Sequence, residues 1–317
     1  CNGQPFSKSV VSDTEGRFTL ADVPAGARTV HAALGAFTRD TPVTVTAGQT
    51  TAIPDDQLCV AQLDTRIAVI SGAGDNIGDL LTGLQLQFDT FNGETGNWAA
   101  SAAPFLKDLQ KMKTYDLIFL NCAAAKRSGG SVIDLGPDAQ TIVSNLTAYV
   151  QSGGSLYGSD WAIVFPVLAF PGKITPALNS ASTVATPQDA NQFMGYAPQT
   201  ITSTIVNPQL AAFVGRSTIP IAFPTQPGAQ SLHWGLIQRV AADVQVLIEA
   251  PTAIRCPTAN TSCSAPGTTL QRVPLAVSFK LTPPSERGGY VVYTSFHNIA
   301  QPTDDVSKVL KYLVLNL

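Results

Sequence analysis

The stretch YVQSGGSLYGSDWA, residues 149–162, decides the fold. The segment leading into it, DAQTIVSNLTAYVQ (138–151), carries Ile142, Leu146 and Tyr149 at helical spacing, and Gly153–Gly154 stop that helix as a C-terminal cap does. SLYGS then reads as a short buried strand running straight into a tight turn at Ser159 and Asp160. In many α/β enzymes such a corner holds the nucleophile.

Working outward, TRIAVI (65–70) is a continuous apolar strand followed by SGAGDNIGDLL (71–81), then LQLQFDTF (84–91), the helical APFLKDLQKMK (103–113) and the strand YDLIFLNC (115–122). On the far side, GGYVVYTSFHN (288–298) is a strand entering a loop, and TDDVSKVLKYLVLNL (303–317) is a closing helix whose Asp304 and Asp305 favour its N-terminus. Strand, loop, helix and strand in this rhythm predict an α/β fold, a parallel sheet with helices on both faces. Residues 163–285 loosen into Pro- and Thr-rich segments with short strands, TSTIV, STIPIAF and VQVLIEA, and read as an insertion over the working edge of the sheet.

Residues 1–60 follow another grammar. GRFTLADV (16–23), ARTVHAAL (27–34) and PVTVTAG (42–48) alternate apolar and polar side chains, which predicts a small, incomplete β-sandwich module preceding the α/β domain at 65–317. An incomplete sandwich leaves an open edge, so self-association or strand complementation by an upstream segment or another chain is expected there.

Of 317 residues, 44% are hydrophobic and 13% charged, with a net charge of −3 and no block of like charge. That supports a large packed core and argues against nucleic acid or a polybasic membrane patch as partner. No apolar run reaches the ~20 residues of a membrane-spanning helix. A surface of Ser, Thr, Asn, Gln, Gly and Pro points to a secreted or cell-surface protein.

The five cysteines agree with that location. Cys256 and Cys263 bracket the polar loop CPTANTSC and read as a local disulfide, Cys1 and Cys59 flank the β-module and could pair, and Cys122 in an apolar run reads as a buried free thiol. A chain beginning at Cys1 fits either a lipid-anchored terminus or a longer protein, and the half-formed module favours the second.

Three segments, YDLIFLNC, YVQSGGSLYGSDWA and GGYVVYTSFHN, resemble the class I glutamine amidotransferase-like superfamily, and within it the ThuA-like group. The resemblance spans roughly residues 65–317 and implies a flavodoxin-like sheet. The run 12–51 resembles the carboxypeptidase regulatory-like family through Asp13, Gly16, Phe18, Pro24, Gly26 and Val43–Val45. Carried over position by position, the resemblance places Leu156 where amidotransferases have their nucleophilic Cys, Ile299 where a His-x-Glu pair has its acid, and Asp160 where ThuA-like proteins have a His.

The candidate site residues all sit at strand ends or loops on the carboxyl edge, where α/β sheets bind ligands: Asp75, Asn76, Ser159, Asp160, His233 and His297. Ser159 with His297 and an acid such as Asp160 or Asp75 would make a hydrolase triad; the alternative is that Ser159 and Asp160 cap the following helix. Asp75, Asp160, His233 and His297 are metal-ligand types, but no tight spacing marks a site, and no metal or cofactor is expected. GAGDNIG (72–78) with Asp89 mimics a dinucleotide fingerprint whose spacing fails, and reads as a Gly-rich strand-to-helix loop. Asn145 and Asn260 stand in glycosylation sequons.

With the family nucleophile and acid missing, the sequence leads to a non-catalytic extracellular or cell-surface protein for binding or assembly, with a carbohydrate or peptide as a candidate ligand. The rival is a hydrolase of a carbohydrate or amide using Asp160 and His297, with or without a metal. A structural subunit of a filament or coat is the third reading.

Overall fold

The computed structural model describes residues 6–13, 16–34, 37–54, 57, 65–94, 96–125, 135–177, 194–196, 199–223, 233–255, 267–282 and 289–317. The chain divides into two units, Cys1–Asp64 and Thr65–Leu317.

In the first unit β1 (Gly26–Leu34) and β2 (Phe37–Val45) form an antiparallel hairpin in register from Gly26↔Val45 to Leu34↔Phe37. The Asp13 carboxylate accepts the Arg17 N–H at 2.8 Å, and Gly16 takes φ +79°. GRFTLADV, expected as a strand, takes no strand conformation in a sheet among the described residues. Alternation marks a segment able to join a sheet, but a sandwich also needs a second sheet, and among the described residues of this unit only the hairpin forms.

The second unit contains β3 (Ile67–Ile70), α1 (Ile77–Gly83), β4 (Asp89–Phe91), α2 (Ala102–Lys107), α3 (Leu109–Met112), β5 (Leu117–Leu120), α4 (Ala139–Gln151), β6 (Ser155–Ser159), α5 (Val164–Ala169), β7 (Ile174–Pro176), β8 (Met194–Tyr196), β9 (Gln199–Ile205), α6 (Pro208–Val214), β10 (Thr218–Phe223), β11 (His233–Gly235), β12 (Ile237–Val240), β13 (Gln245–Ile254), β14 (Thr269–Lys280), β15 (Tyr290–Thr294) and α7 (Asp305–Leu315). One nine-stranded sheet runs β10-β9-β13-β14-β15-β6-β5-β3-β4. From β4 through β3, β5 and β6 to β15 the strands are parallel; from β15 outward through β14, β13 and β9 to β10 every pairing is antiparallel.

The parallel half follows from composition. Every residue of β3, β5 and β6 is buried, as continuous apolar strands covered on both faces must be. The helix α4 buries Ile142, Leu146 and Tyr149, the stripe its sequence predicts. Gly154 lets the chain turn under it, since a Cβ there would lie 2.2 Å from the Tyr149 ring. The closing helix α7 buries Val306, Val309, Leu310, Leu313 and Val314. Helices α2, α3 and α5 pack on α4, and α1 and α6 pack on α7.

The insertion differs from expectation. Rather than only lying over the working edge, it extends the sheet: β9, β10, β13 and β14 continue it beyond β15. Two small sheets, β8 with β11 and β7 with β12, are the part that folds over. Among the described residues no helix is long and apolar enough to cross a membrane.

Candidate functional site

Four carboxyl ends of the parallel strands meet. The loop after β3 brings Asp75, the end of β5 brings Asn121 and Cys122, β6 ends in Ser159 and Asp160, and β15 leads to His297. At the corner the chain leaves extended backbone at Ser159 (φ −121°, ψ 139°), turns through Asp160 at φ +47° and enters a 3-10 turn, Asp160–Ile163. The left-handed region costs a non-glycine residue roughly 1–2 kcal/mol, and Asp tolerates it better than most. Ala123 (φ +62°), Ala125 (φ +61°) and Ala300 (φ +57°) are strained in the same way beside Cys122 and His297. Such strain collects where surrounding structure fixes a functional geometry.

Leu156 lies inside β6, paired with Ile118 and Val291 and 1% exposed, so it is core. The residue that occupies the strained elbow is Asp160.

The side chains form one network. Ser159 Oγ donates to Asp75 Oδ2 at 2.7 Å and accepts the Cys122 N–H at 3.0 Å. The other oxygen of Asp75 accepts the Asn76 N–H at 2.8 Å. Asp160 Oδ1 accepts the Gly235 N–H at 2.7 Å, and Oδ2 accepts the Cys122 thiol at 3.3 Å. His297 Nε2 stands 3.7 Å from Asp160 Oδ2, and its Nδ1 has no hydrogen-bond partner. Neither Ser159 nor Asp160 caps the following turn, because both side chains are spent on partners distant in sequence. Among the described residues no histidine bonds the Ser159 hydroxyl, so the candidate triad of Ser159 with His297 does not form.

The insertion seats itself on this corner. Tyr293 Oη donates to the carbonyls of Asp160 (2.8 Å) and Gly235 (3.0 Å), binding β11 to the elbow. Trp234 stacks on Phe223 with ring centroids 3.9 Å apart, its Nε1–H donates to Tyr196 O, and it is buried together with Leu236 and Ile237. Asp160 is left 6% exposed.

Burial pushes the Asp160 carboxyl up to about 6, against the opposing influences of His297, the Gly235 N–H and Cys122. Burial likewise raises Asp75, with His297 and its hydrogen bonds opposing. The Cys122 thiol is driven well above its usual range by burial and then by Asp160, so it remains a protonated donor rather than a nucleophilic thiolate. The folded Asp160 binds its proton more tightly than the unfolded chain does, so its contribution to stability is complete below about pH 4 and is lost as pH rises through about 6. Calorimetric melts between pH 4 and 8 should show that loss, on the order of 3 kcal/mol, and Asp160→Asn should remove this component of the slope.

The other sequence candidates fall elsewhere. Asn76 is exposed and contributes backbone groups, its N–H to Asp75 and its carbonyl to Asn298 Nδ2. His233 belongs to β11, but its side chain lies outside the described residues. Ile299 is 42% exposed. Asp89 accepts the Tyr115 hydroxyl at 2.7 Å. Gly72 and Gly74 serve packing: a Cβ on Gly72 would lie 2.2 Å from Cys122 O, and one on Gly74 2.6 Å from Cys122 Sγ. Asn145 is half-buried in α4 with its Nδ2 donating to Leu106 O, which opposes glycosylation there; Asn260 lies outside the described residues. So do Cys1, Cys59, Cys256 and Cys263, and with them both expected disulfides. Cys122 is a buried free thiol as expected, but sequence reasoning does not place it in the site. The signal available is its position one residue beyond Asn121 at the carboxyl end of β5, the edge that also carries the other candidates.

No family model matches the chain, and no curated protein does. Among solved structures, the chain is similar to PurLQS from Thermotoga maritima (14% identity, 80% of this chain and 98% of that chain, TM-score 0.40). It is also similar to a cytoplasmic protein from Salmonella typhimurium (12%, 80% and 98%, TM-score 0.43) and to a glutamine amidotransferase from Thermotoga maritima (8%, 79% and 81%, TM-score 0.39). Similarity at this level leaves the chemistry of the corner to its own residues.

Proposed function

We propose that this chain is a non-catalytic extracellular or cell-surface protein for binding or assembly, whose α/β unit keeps the corner of an amidotransferase-like active site as a structural element. One observation carries the reading: the elbow residue is an aspartate with each carboxylate oxygen already hydrogen-bonded, one to Gly235 N–H and one to Cys122, beneath a buried strand of the insertion. A nucleophile or general base must be reached by its substrate, and Asp160, 6% exposed, lies under the insertion with both oxygens already engaged. The 13% charged composition supports the extracellular assignment. The hairpin of the first unit, with no third strand among the described residues, supports assembly through strand pairing.

A hydrolase using Asp160 and His297 is the second reading, favoured by the strained backbone of Asp160 and by a carboxyl at about 6, in the range of a general acid. The test is turnover of chromogenic ester, amide and glycoside substrates by wild type, Asp160→Asn and His297→Ala. The proposal expects wild type to match the variants at the uncatalysed rate. Saturable turnover that His297→Ala abolishes would replace it with the hydrolase.

A further inference from the structure

We infer that Cys122, Asp160 and His297 form a binding site for one transition-metal dication of zinc-like preference. Their ligand atoms, Sγ, a carboxylate oxygen and a ring nitrogen, lie within 4.8 Å of one another, and all three residues are buried. The Cys122 Sγ to Asp160 Oδ2 separation is 3.3 Å and the His297 Nε2 to Asp160 Oδ2 separation 3.7 Å. A tetrahedral ion with bonds of about 2.0–2.3 Å spaces its donors roughly 3.3–3.8 Å apart, so both measured edges fall in that range, and the cysteine-to-histidine edge is within 4.8 Å.

The histidine supplies the independent observation. Its side chain is 7% exposed, yet neither ring nitrogen makes a hydrogen bond: Nδ1 has no partner, and Nε2 faces Asp160 at a distance too long for one. Buried imidazoles left unpaired in this way carry the full cost of desolvation. An ion in front of Nε2 gives a partner to the nitrogen that faces Asp160 Oδ2.

Each donor is already positioned. The Gly235 N–H holds Asp160 Oδ1 and leaves Oδ2 turned to the other two. The Cys122 carbonyl accepts Gly74 N–H at 3.1 Å, its N–H is held by Ser159, and the missing Cβ of Gly74 makes room for its sulfur. Charge also balances: thiolate and carboxylate together neutralise a dication in a buried site. The balanced step is M²⁺ plus Cys122–SH giving M–S(Cys122) and one proton released to solvent, with His297 binding as the neutral imidazole. Sulfur and imidazole in the set select zinc, cobalt or a similar ion over magnesium and calcium. Metal affinity is separate from the absence of turnover proposed above, and its measurement reads neither substrate nor product.

The experiment is titration of the chelator-stripped full chain with Co²⁺, followed by Zn²⁺. The expected result is one Co²⁺ per chain with a thiolate-to-cobalt charge-transfer band, displaced by Zn²⁺, and release of a proton on binding. Cys122→Ser should lose the band and weaken binding at least ~100-fold, since it removes a ligand rather than an outer partner. His297→Gln, whose side chain makes no hydrogen bond in the metal-free protein, should weaken binding comparably while the far-ultraviolet spectrum stays native, and it carries the test should Cys122→Ser fail to fold. Absence of the band in wild type, or a band of equal intensity and affinity in either folded variant, would overturn the site.

Discussion

Gly235→Ala is expected to destabilise the protein by about 3–5 kcal/mol, a combination of overpacking and loss of buried hydrogen bonds. A Cβ at this position would stand 2.3 Å from Tyr293 Oη and 2.4 Å from Asp160 O. Neither neighbour can yield: Tyr293 is fully buried in the core, and Asp160 O belongs to the strained elbow backbone. The strand β11 must therefore lift, which strands the Gly235 N–H bond to Asp160 and the Tyr293 bond to the Gly235 carbonyl. Gly215→Ala is the contrasting control. That glycine caps α6 at φ +83°, and an added methyl there would meet nothing within 4 Å, so its cost is the left-handed backbone alone, roughly 1 kcal/mol. Thermal melts of the two variants separate the terms, and a Gly235→Ala protein as stable as Gly215→Ala would mean that the insertion does not seat on the elbow.

Ser159→Ala should cost about 3–4 kcal/mol, a large effect for the loss of one oxygen. The hydroxyl is fully buried and serves two groups at once, accepting the Cys122 N–H and donating to Asp75 Oδ2. Alanine leaves a buried amide and one oxygen of a buried carboxylate without that partner, and desolvation of each is then uncompensated. A serine kept for nucleophilic attack would behave in the opposite way, since its removal abolishes turnover and leaves folding nearly untouched. Denaturant unfolding of Ser159→Ala distinguishes the two: loss of stability supports the structural role, and unchanged stability contradicts it.

The parallel half of the sheet is legible in the sequence because its strands, buried on both faces, must be continuous apolar runs. TRIAVI, YDLIFLNC and SLYGS contain β3, β5 and β6, and the spacing of Ile142, Leu146 and Tyr149 marks the inner face of α4. Topology alone puts Asp75, Asp160 and His297 on one edge, and the structure brings them together. The antiparallel half is not legible as part of the same sheet. The alternating burial of β9 follows from its sequence, but its choice of β13 and β10 as partners is a long-range matter that local pattern does not encode.

The left-handed backbone of the elbow is not legible, for a related reason. A glycine signals positive φ in a sequence, whereas Asp160 adopts it only because Gly235, Cys122 and Tyr293 hold it there. Cys122 is hidden by its apolar neighbours: its burial can be read, but its meeting with a carboxylate 38 positions away cannot. The same holds for GAGDNIG, whose first two glycines answer to the close approach of the Cys122 segment rather than to a phosphate.

Central to this account is that the insertion closes the elbow in the resting protein, and hydrogen exchange at the Gly235 amide tests this directly. The amide donates to a buried carboxylate beneath Trp234 and Tyr293. Exchange should therefore be as slow as for amides of β5 and β6, proceeding only through unfolding of the α/β unit. Exchange of Gly235 at the rate of an exposed loop, with β5 and β6 still protected, would show an open corner and contradict the closed, non-catalytic reading.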